Sequence, residues 1–576
     1  MLGDNPGHFR TVWPGSVRVA ADARYAARPT KMEGLRIAQL WDFLFRGDEI
    51  FEMLEDPLRE RLPGAEFVSW RTFGSTHGGD EAEVLAALPA RLRQAGVDLV
   101  LSGIGCCGSC TPAVLRASLA CEKAGFPTIS LICEGFLGQA SVNAEGLGLP
   151  GLALARIPGH VDVMSTDELR RAVSETTADA IVTAVSTVEP APARATTVEY
   201  EPREIVFEGD LDAVLGHYER QGWSDGLPII PPTIERVEAF LQHTGRKADE
   251  VVGVMVSDNR AATVWSVAVN GVMAGCRPEH MPALIAIAEA MCDPAFGIER
   301  NSSSGAETLI MLNGPAIGEL GFNFEQGVLR DGFRANTSVG RFFRLYFRNV
   351  AGFLPHQRDK ATFGNTWRVV MAENEDVLAE IGWPSIAEEA GYGKDDSVVT
   401  IARYSGGDVL PNVSGSRPQE IAVVLAGAIR KMITWQVRYT LGFGDGMLRP
   451  LLLLTPIIAR SIAAGGWSKS DLKRCLFEHC RIPADDFEKH LVFGDETRKA
   501  IWNIADYVRM GKTPASFLET EDPQRLVPIV HDPEDFMIAV TGDPLRTNCY
   551  VFAPTGILGY PTSRKMEPGQ PATGTE

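Results

Sequence analysis

Between Val97 and Pro112 the chain reads Val-Asp-Leu-Val-Leu-Ser-Gly-Ile-Gly-Cys-Cys-Gly-Ser-Cys-Thr-Pro. An apolar run of strand length ends in glycine, and Cys106, Cys107 and Cys110 follow at once. Pro112 to Ala124 then has helical spacing, with Val114, Leu115, Ala117 and Leu119 on its apolar side. Gly125 and Pro127 end that helix, and Thr128 to Cys133 reads as a second apolar strand. Strand, tight loop, helix and strand in quick succession make a βαβ unit, which commits the region to a parallel sheet. In such sheets the useful crevice lies beyond the carboxyl ends of the strands, where these thiols fall.

The same arrangement predicts a tuned sulfur. Thr111 is expected to cap the helix, with Pro112 at its first position, where a missing N–H costs nothing. The free amides and the positive dipole end then face the Cys107–Cys110 loop and favour thiolate over thiol. Gly108 and Ser109 keep the loop small enough for the two sulfurs to meet.

Alternation of strand and helix patterns extends to both sides. Leu35 to Leu40, Glu66 to Trp70 and Leu152 to Ile157 read as strands. Asp48 to Arg61, Asp80 to Ala95 (with Asp80 as cap), Gly135 to Gly146 and Thr166 to Thr176 read as helices. The fold class expected for residues 35–185 is therefore α/β, a doubly wound parallel sheet. Residues 1–34 carry turn residues and little periodicity and read as a loose lead-in. Residues 186–203, rich in Pro, Ala and Thr, read as a linker. Residues 204–560 form a larger mixed α/β, helix-rich region with helical patterns at Leu211 to Gln221, Ile234 to Thr244, Met281 to Met291 and Pro418 to Trp435. Residues 561–576 are low in apolar side chains and read as a disordered tail. A chain of 576 residues is too long for one core, so two or three domains are expected from length, and the pattern is read as two.

The net charge of -19 argues against nucleic acid and anionic membrane as partners. The longest aliphatic run, Leu451 to Ile458, is broken by Thr455 and Pro456 and is far short of a span. Five of the ten cysteines cluster between Cys106 and Cys133, which is no disulfide framework of a secreted domain. With no signal-peptide pattern at the start, a reducing cytoplasm is the expected compartment. A small-molecule substrate, an external thiol reductant and a homo-oligomer are the expected partners.

The stretch Asp98 to Thr111, containing Cys107-Gly-Ser-Cys110, resembles the signature of the UGSC family of thiol or selenol proteins. The family's selenocysteine-or-cysteine position falls on Cys107 and its closing cysteine on Cys110. Pro127 to Phe136, and Leu149-Pro150 through Ile157-Pro-Gly-His160, sit where the family has its next strand, a Phe-containing helix start and a Pro-His loop. Cys106 departs from the aspartate and glycine or asparagine that often precede the pair. The resemblance covers roughly Leu35 to Thr183. A wider similarity is to the substrate-activating B subunit of glycine reductase, which carries a selenocysteine-x-x-cysteine after an apolar strand. There the selenol attacks carbon, expels an amine and leaves a selenoether for a partner to resolve. Sulfur at Cys107 implies a slower, less acidic version. The second region resembles domains fused to such proteins, beginning at Gly222-Trp-Ser-Asp-Gly-Leu-Pro; no mechanism comes with that likeness.

The residues thus point to a thiol-dependent oxidoreductase in which Cys107 attacks an electrophilic carbon or sulfur and Cys110 resolves the product. A redox-neutral cysteine enzyme (racemase, lyase or thioester-forming hydrolase) and a metal-binding or redox-sensing module are the alternatives. Cys106 is a spectator or backup thiol, Cys121 a core residue, and Cys133 a thiol able to approach the site. Asp42 and Glu134, at strand ends, are candidate proton carriers; His77 and His160 are candidate bases. Ser109, Thr111, Arg277 and Arg341 are candidate substrate contacts, with Arg260 and Lys469 in similar turns. Cys276 is a remote candidate for resolving a mixed disulfide. No cofactor is expected. Zinc, as the metal alternative, would use Cys106, Cys107 and Cys110 with Cys133 or His77.

Overall fold

The computed structural model describes residues 7–19, 25–186, 199–300, 304–441, 446–492, 500–554 and 557–568. Its first domain is a five-stranded, all-parallel sheet built from β1 (Arg36–Trp41), β2 (Glu66–Val68), β3 (Leu99–Gly105), β4 (Thr128–Cys133) and β5 (Ala153–Ile157) in the order β2-β1-β3-β4-β5. Every residue of β3 and β4 is buried, because helices cover both faces, so these strands are mostly apolar, broken only by Ser102, Thr128 and Ser130, rather than regularly alternating. The helices that frame the site are α1 (Gly47–Arg61), α2 (Glu81–Gln94), α3 (Cys110–Lys123) and α4 (Leu137–Gly146). Strand order reverses between β1 and β3. A doubly wound sheet opens its ligand crevice at that switch point, and here the residues beyond it are Asp42 on one side and Cys106-Cys107 on the other.

Two expected helix starts are corrected. The helix α3 begins at Cys110, not after Thr111, and Ser109 precedes it without a side-chain cap. The thiol loop is itself wound into the first turn, since the Thr111 amide donates to Cys107 O at 3.2 Å. Pro112 therefore lies in the first turn but has no N–H for Gly108 O, and that carbonyl accepts from Gln139 Nε2 at 3.0 Å instead. Asp80 does precede α2, but it makes no capping bond; its carboxylate takes Lys512 at 2.8 Å. Gly105 is required by close approach: a Cβ there would stand 2.5 Å from Ile132 and 3.2 Å from Thr111 Oγ1.

The second region is a four-layer stack. One mixed sheet has the order Val370–Ala372, Glu307–Asn313, Val398–Tyr404, Thr562–Lys565, and the other Gly406–Leu410, Cys549–Ala553, Leu451–Leu454, Met537–Val540. Alternate residues divide between layers, as the strand period demands. Leu309 and Met311 pack against Leu451, Leu453, Met537 and Ala539 between the sheets. Ile310 and Leu312 face the helices Val264–Ala274, Met281–Cys292 and Arg334–Asn349. Leu452, Leu454, Ile538 and Val540 face the helix Pro418–Ile433 on the opposite side.

Both chain ends depart from expectation. Phe9–Val12, in the expected loose lead-in, pairs antiparallel with Ile205–Gly209, and Val12 is buried in the second region's core. Thr562–Lys565, in the expected disordered tail, is an edge strand pairing with Val398–Ile401. Both are short strands held by an existing partner's backbone, with too few apolar positions to show a period. The expected linker falls largely on residues 187–198 and the rest of the tail on 569–576, outside the described residues. Among the described residues no helix is long and apolar enough to cross a membrane.

Candidate functional site

Cys107 and Cys110 are joined as a disulfide, with Cα atoms 5.2 Å apart. They are not equivalent. Cys107 is partly exposed, whereas Cys110 is fully buried beneath it. The Cys110 amide donates to Cys107 Sγ at 3.0 Å, and Ser109 Oγ lies 3.4 Å from the same sulfur. Charge on Cys107 would thus meet an amide of the first turn and the positive end of α3. Ser109 and Thr111 are both buried; Ser109 faces the thiol, and Thr111 Oγ1 has no hydrogen bond.

The pair is roofed by residues far away in sequence. Leu44 and Ile557 pack with Cys110, and Phe43, Phe45 and Tyr439 pack around them with Cys107. Ile557 and Tyr439 belong to the second region, so the thiols lie where the two regions meet. The Phe43–Arg46 loop beyond β1 holds three non-glycine residues in the left-handed region, at φ 59° for Phe43, 56° for Phe45 and 55° for Arg46. Such backbone persists only where surroundings impose it. Here the Trp41 indole donates to Leu44 O at 2.7 Å, and Arg46 donates to Val161 O and Met164 O at 3.2 and 2.8 Å. A small cleft runs between this loop and Arg438, Trp502 and Tyr507 of the second region.

Cys106, expected as a spectator, has its own surroundings. It is 1 % exposed and directly follows β3, whose last residue Gly105 pairs with Ile132, so Cys133 is its neighbour across the strand ends. A hydrogen bond with the Cys133 thiol, and a second with His160, hold the Cys106 thiol below its ordinary value against the opposing effect of burial. The same pairing pushes Cys133 up, and it raises His160. Cys106 and His160 thus each favour the other's charged form. His160 is exposed and edge-on to Phe45 at 5.9 Å. Cys133 approaches the site through Cys106, not through the Cys107–Cys110 pair.

Asp42 is fully buried, and Oδ1 accepts from the Ile104 amide at 2.9 Å while Oδ2 has no hydrogen bond. Burial, opposed by amide bonds from Ile104 and Leu44, pushes its carboxyl up to about 8. It is a protonated acid at neutral pH, beside Cys106. Between the ordinary carboxyl value of about 3.9 and about 8 the unfolded chain is ionised and the folded one is not, so stability falls as pH rises through that window. Asp42→Asn keeps the Oδ1 acceptor and removes the titration. Its stability relative to the unsubstituted chain is expected to climb between pH ~5 and pH ~8, by up to about 1.4 kcal/mol per unit. Denaturant titrations at several pH values check this; equal slopes for the two proteins would contradict it.

The other candidates are placed elsewhere. Glu134 is on the surface, not in the crevice: it pairs with Arg156 at 2.8 Å and accepts from the Gly159 amide at 3.3 Å, steadying the loop that carries His160. His77 is fully buried, with Nδ1 3.4 Å from Glu81, and burial lowers its basicity; it belongs to a Glu81–Arg116–Arg300 cluster. Arg341 is consumed by a bidentate pair with Asp225 (3.0 and 2.8 Å) and by Leu227 O and Pro228 O, so it closes a loop rather than awaiting a substrate. Arg277 is an exposed partner of Glu279. Arg260 bonds Asp258 and Ser16 O, and Lys469 pairs with Glu389. Cys276 is buried beside Ser338, within the helical core of the second region, and burial pushes its thiol up to about 12. Cys121 is fully buried in mid-helix, as expected of a core residue. Among the described residues no group of three or more His, Cys, Asp or Glu could hold a metal ion.

Sequence reading missed the Phe43–Arg46 loop and Gln139. The available signal was the Trp41-Asp-Phe-Leu-Phe45 run directly after the first strand, which is too aromatic for an ordinary surface turn. Nothing in the sequence marked Tyr439 and Ile557 as the roof. No curated protein and no solved structure gives a significant match to this chain. The first part of the chain carries a recognisable pattern nonetheless: residues 10–187, which span the whole thiol domain, match the model of the UGSC family.

Proposed function

We propose that this chain is a thiol-dependent oxidoreductase acting on a small electrophilic substrate. One observation carries the reading: a partly open Cys107 and a closed Cys110 stand at disulfide distance, at a helix start, on the switch point of a parallel sheet. The open sulfur meets the substrate and the closed one reaches only its neighbour. The Cys107 thiolate displaces a leaving group from an activated carbon and forms a thioether. The Cys110 thiolate then attacks Cys107 Sγ, the carbon–sulfur bond breaks, and the carbon departs as a stabilised carbanion that takes up a proton. Two thiols become a disulfide while a carbon–heteroatom bond becomes carbon–hydrogen, and an external dithiol restores the pair. Amides at the start of α3 stabilise the developing thiolate.

The redox-neutral alternative needs two cysteines on separate strands with a substrate between them. Cys106 and Cys133 do lie at the ends of adjacent strands, but both are free thiols only 1 % exposed, each occupied by the other. The test is alkylation of the reduced protein with iodoacetamide from about pH 5 to about pH 9, read site by site by mass spectrometry, with a zinc assay on the same sample. Fast labelling is expected at Cys107 alone, with an apparent pKa below ~8.5. Slow, uniform labelling with stoichiometric zinc would overturn the reading.

A further inference from the structure

Behind the thiol helix, between the two regions, lies a second cleft of about 330 Å³. That volume suits a small organic molecule. Its walls are mostly apolar: Ala82, Leu85 and Leu147 from the first domain, and Val256, Ile298 and Phe353 from the second region. The polar atoms around it are unbalanced. Arg116 Nη1 and Nη2, Arg300 Nε and Asn143 Nδ2 are buried donors without a hydrogen bond, against one such acceptor, Gln139 Oε1. Buried polar groups in folded proteins almost always find partners, so four unmet donors around one space call for an acceptor-rich ligand.

The charges nearby are otherwise committed. Glu81 takes Arg116 Nε at 2.6 Å, with His77 Nδ1 and Arg300 each 3.4 Å away. Arg358 is held by Asp258 at 2.6 Å, and Asp293 by Arg564. Glu299 stands 3.9 Å from Arg116 Nη1 and 3.7 Å from Arg300 Nε, outside hydrogen-bond reach. The outer edge of Arg116 therefore offers two parallel N–H groups, the geometry that a carboxylate accepts in bidentate fashion. The cleft also touches the thiol loop: Pro112 lines it, and so does Gln139, which binds Gly108 O.

We propose that this cleft binds a small monocarboxylate with an apolar body, its carboxylate on Arg116 and its chain against Leu85, Val256 and Phe353. The proposal is independent of the reaction at Cys107. Titration calorimetry of the full chain with hexanoate, and with hexanol as the uncharged analogue, tests it. Hexanoate is expected to bind at least about tenfold more tightly than hexanol. Ala82→Trp, at an exposed helical position on the cleft wall, should weaken hexanoate at least about tenfold while leaving every ion pair in place. Arg116→Gln should abolish the preference for hexanoate over hexanol. Equal affinity for the two compounds, unchanged binding in Ala82→Trp, or no hexanoate binding up to about 10 mM would each overturn the proposal.

Discussion

Replacement of Cys107 by serine is expected to lower turnover of a model disulfide, bis(2-hydroxyethyl) disulfide with dithiothreitol as reductant, by roughly three orders of magnitude. A serine hydroxyl at this position has no thiolate to offer, and the amide that supports charge on Cys107 then supports nothing. Cys110→Ser is expected to fail differently. In the pre-reduced variant, freed of dithiothreitol before the disulfide is added, Cys107 can still attack and release one mercaptoethanol, but no second protein sulfur displaces the other half. The protein should accumulate as a mixed disulfide at Cys107, visible as an intact-mass increase of one mercaptoethanol moiety. Cys106 is no substitute resolver, because its side chain packs in a different cluster, with Cys133. No trapped adduct in Cys110→Ser without dithiothreitol would remove the resolver role and return the site to redox-neutral chemistry.

The thiol loop was legible in the sequence because strand, glycine, cysteines and helix start follow one another without interruption, and each element has its own period. The parallel sheet was legible for the same reason: β3 and β4 are mostly apolar on both faces, with only Ser102, Thr128 and Ser130 polar, as strands buried on both faces require. Charged residues were legible as candidates and not as roles. Arg341 and Glu134 sit beside turns, as ligand-binding residues do, but a sequence does not show that Asp225 and Arg156 wait opposite them. The roof over the thiols was illegible. Tyr439 and Ile557 come from a helical stretch and a loop hundreds of residues downstream, and their placement depends on how two separate cores pack together. The strands Phe9–Val12 and Thr562–Lys565 were lost to brevity, since four residues held by backbone bonds carry almost no periodic signal.

One buried carboxylate lies at the centre of an ion network in that docking, and its removal carries the second large effect. Asp258 is 3 % exposed and accepts from Arg18 at 3.0 Å, Arg260 at 2.5 Å and Arg358 at 2.6 Å. The three guanidinium groups outweigh burial and hold its carboxyl below the usual range. Two of them reach the first domain: Arg18 pairs with Glu145 at 3.1 Å, and Arg358 bonds Asn143 Oδ1 and Val142 O on α4. The Arg358 carbonyl also shares Gln139 with Gly108 of the thiol loop. Asp258→Ala would leave three crowded cations without their common anion, and truncating one partner of a buried charge network costs about 3–5 kcal/mol. The first unfolding transition in denaturant is therefore expected to move down by that amount at neutral pH. The difference should vanish in acid: a carboxyl held low in the folded state contributes its stability above the unfolded value of about 3.9 and loses it as pH falls through the folded value. Because α4 carries Gln139, loosening this joint should also speed alkylation of Cys110 in the reduced variant, linking the ion network to the thiols. A loss below about 1 kcal/mol, or Cys110 labelling at the original rate, would show that this ion network does not hold the two regions together.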